Sequence, residues 1–373
     1  MRFYCLLFLW FSFSTIWAQS TDRDSIYAEW DSLGYTFVDL LNERNSEMDY
    51  YFASKAFWKR LIIKNPKSEN VRVLNDDLLE DTKDFNISTI FGEVRDGVRY
   101  KFLHSRADSV LVVQQRLDDL EFNYLFFKLN YLEEDWKVVD IYFLIYDTYL
   151  SSLIRNTVYF PIVFEALGRS NAGVILENSK IYREAKHLYG EGETERAYLK
   201  LSGIPLEERL RDYQVYKIFL SGKVEDDRKL LRSVKEYQEK FGSTERLPLL
   251  FLDYYVVLEE YDAAIALVGR IDSIIGGDPY LNFYTGLLYY LKGDWKASGK
   301  LLEEALLFSP EEDYYVAFLM TVLVEHKAYR WAVNALDKLV KTEYYTQYEL
   351  GYWVKLEYPK LARSRPFKRW LRS

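Results

Sequence analysis

Asp140 is the side chain in this sequence best placed to do chemistry. Aspartate is depleted in strands, yet Asp140 lies inside the run Trp136-Lys137-Val138-Val139-Asp140-Ile141-Tyr142. At a period of two, its face carries Val138, Asp140, Tyr142, Leu144 and Tyr146, and the other face (Val139, Ile141, Phe143, Ile145) is wholly apolar. A carboxylate beside tyrosines in a pocket can orient a ligand or act as a base, with His104 and Arg155 as further polar candidates for that pocket. A base needs a partner, however, and no histidine or second acid stands at fixed spacing from Asp140. The residue pattern therefore favours a half-buried carboxylate satisfied by tyrosine hydroxyls, Arg155 or backbone amides.

Other catalytic constellations are missing. No Gly-x-Gly-x-x-Gly follows a strand, and Ser221-Gly222-Lys223 lacks the upstream glycine of a phosphate loop because Lys217 stands there. Neither His-Glu-x-x-His nor Gly-x-Ser-x-Gly occurs. One cysteine, Cys5, and three scattered histidines (His104, His187, His326) supply no metal motif. Carboxylate pairs such as Glu303-Glu304 and Glu311-Glu312 read as solvated faces. The expectation is a non-enzymatic chain with no metal and no cofactor. At 373 residues, 49% hydrophobic and 28% charged, it is globular and long enough for two domains. A net charge of −8 argues against a nucleic-acid partner.

The start reads as a leader. Met1 to Trp17 is one basic residue and an apolar, aromatic run, Ala18 is small, and Gln19-Ser20-Thr21-Asp22 is polar. That describes a signal peptide over residues 1–18, cleaved after Ala18. A retained membrane anchor is the competing reading, but the run is short for a span. Cys5 leaves with the leader, and no later stretch is long and apolar enough to cross a membrane. The mature chain is expected to be exported, to a periplasm or the cell exterior.

Two kinds of element must position these residues. Asp24 to Asn42 and Tyr50 to Ile63 have helical spacing. Beyond a polar stretch to Asn86, Val98–Phe102, Val110–Val113, Phe122–Leu129 and Lys137–Tyr146 read as four strands. Helices followed by a four-stranded antiparallel meander make residues 19–168 an α+β domain. Its element order, and its ending in the Asp140 strand with Ser151 and Arg155, resemble the cone-shaped nuclear-transport-factor-2-like superfamily. A similar ending occurs in phospholipid-shuttle proteins of the toluene-tolerance type. The resemblance implies a pocket, and with it an alternative function as a carrier of a lipid or small apolar ligand; an enzyme using Asp140 is a second alternative.

From about residue 169 the chain reads as an all-α helical repeat array. At a shift of 34 residues Tyr261, Trp295 and Tyr329 align, as do Ala264, Ser298 and Ala332, then Tyr255, Tyr289 and Leu323, and Val268, Leu302 and Leu336. The clearest copy, Pro279–Glu312, resembles the tetratricopeptide repeat at Gly286, Tyr289, Ser298, Ala305 and Pro310, with Asn282 and Thr285 in place of the family's Trp and Leu. Upstream copies are degenerate, Gly192 sitting one residue out of register. Residues 169–345 form the array, and residues 346–373 a capping helix with a basic tail.

The family resemblance implies a groove lined by first helices. It would present Tyr280, Phe283, Leu287, Tyr290 and Leu291 in the clearest copy, and Arg246, Asp253 and Tyr314 in its neighbours. Packing between repeats is the alternative use of those aromatics. The leading reading is an exported scaffold that binds a protein or peptide partner rich in apolar or aromatic side chains.

Overall fold

The computed structural model describes residues 25–81, 86–92, 97–117, 120–224, 226–242 and 247–373. The expected leader and Arg246 lie outside the described residues. The chain divides into two compact units, Met1–Leu247 and Pro248–Ser373. The expected start of the array near residue 169 therefore lies inside the first unit.

The first unit opens with helix α1 (residues 25–43), whose Trp30, Phe37, Val38 and Leu41 are buried. A 3-10 turn, Ser46–Tyr51, starts where the Asn45 side chain accepts the Glu47 amide. Helix α2 (Ser54–Leu61) buries Phe57, Trp58 and Leu61. Two helices precede the strands, α3 (Glu69–Asp81) within the polar stretch and α4 (Ile87–Gly92) just after it.

Five antiparallel strands follow in the order β1-β2-β3-β4-β5, where four were expected: β1 (Arg99–Arg106), β2 (Val110–Arg116), β3 (Phe122–Leu132), β4 (Asp135–Phe143) and β5 (Thr148–Tyr149). The fifth has two residues, too short to show a period in sequence. It turns back on β4, pairing Tyr142 with Tyr149 and Phe143 with Thr148. Phe37, Met48, Phe57 and Phe91 from the helices pack with Leu111, Val113, Leu125 and Phe127 from the sheet. Enclosing one such ring contributes about 2–3 kcal/mol. The fit is close at Gly34 on α1, where an added Cβ would lie 2.3 Å from the Phe102 ring.

The first unit continues through α5 (Leu150–Ile154), a wide turn (Arg155–Tyr159), α6 (Phe160–Ala166), α7 (Ala172–Gly190), α8 (Thr194–Ser202), α9 (Arg211–Gly222) and α10 (Asp227–Phe241). Its helical part is tied by buried charge. Glu236 on α10 accepts from Lys217 and Arg209, both at 2.7 Å, and Arg209 also donates to Gln214. The Lys217 and Arg209 side chains are almost wholly buried.

The second unit is a set of helical hairpins: α11 (Pro248–Val257) with α12 (Tyr261–Ile275), α13 (Pro279–Leu291) with α14 (Trp295–Phe308), and α15 (Asp313–Glu325) with α16 (Tyr329–Val340). Their second helices begin at Tyr261, Trp295 and Tyr329, the residues aligned by the 34-residue shift. The turns repeat too. Glu259, Gly293 and Lys327 all have positive φ, and the next amide closes back on Tyr255, Tyr289 and Leu323 at 2.9, 2.9 and 2.8 Å. This left-handed helix stop suits glycine, which only the middle hairpin supplies. Gly192 and the Glu193 amide make the same stop between α7 and α8.

Ala264, Ser298 and Ala332 are fully buried, so the small positions are where helices approach closely. Gly286 is another, since an added Cβ would meet Leu302 at 2.9 Å. Helices α17 (Gln347–Glu357), α18 (Pro359–Ala362) and α19 (Arg365–Trp370) end the chain, with Leu361, Phe367 and Trp370 buried. Among the described residues no helix is long and apolar enough to cross a membrane.

Candidate functional site

Asp140 is buried and fully engaged. Its Oδ1 accepts the Ile141 and Ser151 amides at 2.9 and 3.2 Å, and its Oδ2 accepts the Ser151 hydroxyl at 2.5 Å. The Ser151 amide is in the first turn of α5, so Asp140 caps that helix from a neighbouring strand. Arg60, at the end of α2, approaches Oδ2 at 3.9 Å. One carboxylate thus ties β4, α5 and α2, which is a structural use of its charge.

A bulge corrects the expected face. The β3–β4 register shifts between Lys128 and Leu129, and Val138 joins Ile141 in the helix-packed core instead of standing beside Asp140. Tyr142 is spoken for as well: it donates to Asp147 Oδ1 at 2.6 Å, and Arg211 pairs with Asp147 Oδ2 at 2.8 Å. Burial, reinforced by Asp147, pushes the Tyr142 phenol well above its usual range. Tyr146 is enclosed by Tyr216 and Phe219 of α9, with ring centres 6.4 and 5.9 Å away. Burial raises its phenol too. His104 lies on β1, three strand positions and about 14 Å from β4, so it does not join Asp140.

Arg155 is in a different situation. It lines a cleft of about 820 Å³ together with Lys59, Arg60, Lys64 and Phe160. Arg60 lines the same cleft and also reaches Asp140. Lys59, Arg60 and Lys64 were missed in sequence, where they look like the polar edge of an amphipathic helix. Among the described residues no group of three or more His, Cys, Asp or Glu could hold a metal ion.

In the second unit the expected groove residues divide. Tyr280 and Phe283 are buried, and Phe283 stacks on Tyr315 at 4.5 Å and meets Tyr314 edge-on at 5.1 Å. They pack hairpin to hairpin and do not line an open surface. Tyr290 is partly exposed, meeting the Phe318 ring at 5.6 Å and donating to Glu325 at 2.6 Å. Leu287 and Tyr314 are half-buried, while Leu291 and Asp253 are exposed. Glu303, expected on a solvated face, instead bridges helices by accepting from Trp331 at 2.8 Å and Lys338 at 2.9 Å.

The most exposed apolar surface is further along. On α17, Tyr348, Tyr352 and Leu356 stand four residues apart and are 81%, 64% and 66% exposed. Four-residue spacing puts them on one side of the helix. They are the register equivalents of Tyr314, Phe318 and Val322 on α15, and of Tyr280, Tyr284 and Leu288 on α13. On α15, Phe283 and Tyr290 of α13 cover Tyr314 and Phe318. On α17 the same positions are open. The 34-residue shift, carried one step beyond Tyr314, is the sequence signal for this stripe.

From Lys355 onward the exposed charges are mostly basic. Lys355, Lys360, Arg363, Arg365, Lys368, Arg369 and Arg372 stand against one acid, Glu357, and none of the seven forms an ion pair among the described residues. Comparison with protein-family models, with curated proteins and with solved structures gives no match to this chain.

Proposed function

We propose that the chain is a non-enzymatic recognition protein whose last first-position helix, α17, receives a helical segment of a protein partner. The observation that carries this reading is the open Tyr348–Tyr352–Leu356 stripe, at positions that neighbouring helices cover elsewhere in the array. A segment with aromatic or apolar side chains at helical spacing would give this stripe the contacts that Phe283 and Tyr290 of α13 give Tyr314 and Phe318 of α15. The unpaired bases of the last nineteen residues favour acidic residues flanking that segment. The repeating turns and buried small positions support a tetratricopeptide-type array as the scaffold. The apolar run ending at Ala18 supports export, which would place the partner outside the cytoplasm.

The test is affinity capture from extracts of the native source with the wild type and the double variant Tyr348→Ser/Tyr352→Ser. Both side chains are exposed, so the variant should fold as the wild type does. The expected result is one specific partner, released by added salt and lost with the double variant. Unchanged recovery of that partner by the double variant contradicts the proposal.

A further inference from the structure

The cleft of the first unit opens where the end of α2 meets the wide turn after α5. Lys59, Arg60, Lys64 and Arg155 surround it, and no carboxylate is among its lining residues. Four like charges around one opening repel each other, so some feature must offset them. Part of that offset is visible. Lys59 and Arg60 are in the last turn of α2, where the helix dipole favours cations, and Arg60 also reaches Asp140. Lys64 and Arg155 have no such partner, and neither forms an ion pair among the described residues. The Arg155 Nε is buried with no acceptor among the described residues, an arrangement that costs free energy unless an acceptor arrives.

The backbone holds Arg155 in an unusual way. The Phe160 amide donates to the Arg155 carbonyl five residues back, widening the helix by one residue. Such widened turns recur at functional sites. This one is braced: the Tyr159 hydroxyl accepts the Ile63 amide at 3.0 Å and donates to Asn75 Oδ1 at 2.5 Å, while Asn75 Nδ2 donates to the Ile63 carbonyl at 3.0 Å. The guanidinium lies 5.7 Å from the centre of the Phe160 ring, which with Ile62 and Ile63 gives the cleft an apolar side. A local basic cleft on a chain of net charge −8 does not suit a polymer, whose backbone needs an extended basic face. Its volume and mixed lining suit a small molecule.

We propose that this cleft binds a small organic anion, a carboxylate or phosphate joined to an apolar group. Arg155 and Lys64 hold the oxyanion, and Ile62 and Phe160 pack the apolar part. The site is in the first unit and the α17 stripe in the second, so either reading can fail without the other.

Calorimetric titration of the full chain tests it, with hexyl phosphate, inorganic phosphate, hexanol and phosphatidylglycerol vesicles as separate probes. Hexyl phosphate should bind, more weakly as salt rises, and more tightly than inorganic phosphate. Arg155→Gln should weaken it about tenfold, the scale of one lost charge-assisted hydrogen bond. Lys64→Gln should weaken it severalfold. If Arg155→Gln loses its native circular dichroism, Lys64→Gln carries the same comparison, because its side chain is exposed. Equal binding of hexyl phosphate by the wild type and these variants overturns the proposal, as does hexanol binding as well as hexyl phosphate. Inorganic phosphate matching hexyl phosphate overturns its apolar half. Binding to vesicles without binding to hexyl phosphate also overturns it, and identifies a membrane surface as the anion source.

Discussion

The two units use the same helical material and hold it together differently. In the first, polar groups far apart in sequence are buried and matched: Asp140 with Ser151 and Arg60, Glu236 with Lys217 and Arg209. In the second, one local geometry recurs every 34 residues, and aromatic rings and small side chains fill the space between copies. A buried charge must find its one partner, so the first unit tolerates little change at single positions. A repeat spreads its stability over many equivalent contacts, and it can leave one copy's face open for another helix.

Glu236→Ala offers the hardest break of this contrast. It leaves Lys217 and Arg209 buried without their carboxylate, and should cost the first unit about 3 kcal/mol. Amide exchange across α9 and α10 should speed up while the second unit keeps its protection; a loss below about 1 kcal/mol would mean that these charges are solvated. The same pair sets a pH dependence. Burial raises the Glu236 carboxyl, but Lys217 and Arg209 outweigh it and hold the group below its usual 4.5. A lowered folded value makes this contribution full above pH 4.5 and lost as the pH falls through the lowered value. The acid sensitivity of α10 should therefore shrink in Glu236→Gln.

Next in size is Asp140→Ala, which uncaps α5 and frees Arg60. About 2 kcal/mol of destabilisation is expected in denaturant unfolding, as for a buried group left without its acceptor. Unchanged stability would mean that Asp140 is kept for something other than structure. In the second unit Gly286→Ala sets a methyl against Leu302 and should cost about 1–2 kcal/mol. The smallest effect is at the turns. Lys327→Gly relieves a left-handed residue and should stabilise by a few tenths of a kcal/mol, whereas Gly293→Lys at the equivalent turn should cost about 1 kcal/mol. Melting shifts of opposite sign would show that the two turns are equivalent; shifts of the same sign would break the equivalence.

This division also decides what could be read in advance. Tyr261, Trp295 and Tyr329 mark helix starts because a repeat writes its geometry into local spacing. Ala264, Ser298 and Ala332 were legible for the same reason. Helices α3 and α4 were not: α3 is largely polar and held by distant contacts such as Asn75 to Tyr159, and the six residues of α4 are too few to show a period. The Asp140 strand was legible, but the bulge that moves Val138 to the core was not, because it arises from pairing with Lys128 and Leu129. Arg155 was picked out, while Lys59 and Lys64, nearly a hundred residues earlier, join it only through folding. For Phe283 the residue type was informative and its use was not: an aromatic on a first helix suits a groove and an inter-helix seam equally.

The central claim is that the open stripe of α17 receives a helical partner segment. Photo-crosslinking tests it most directly, with a benzophenone side chain placed at Tyr352 and, as a control, at Lys300 on the exposed side of α14. A discrete adduct from position 352, absent from position 300, in which the linked partner peptide carries apolar residues at helical spacing, is the predicted result. Adducts from position 300 alone, or none from position 352 while the partner is bound, would contradict the account.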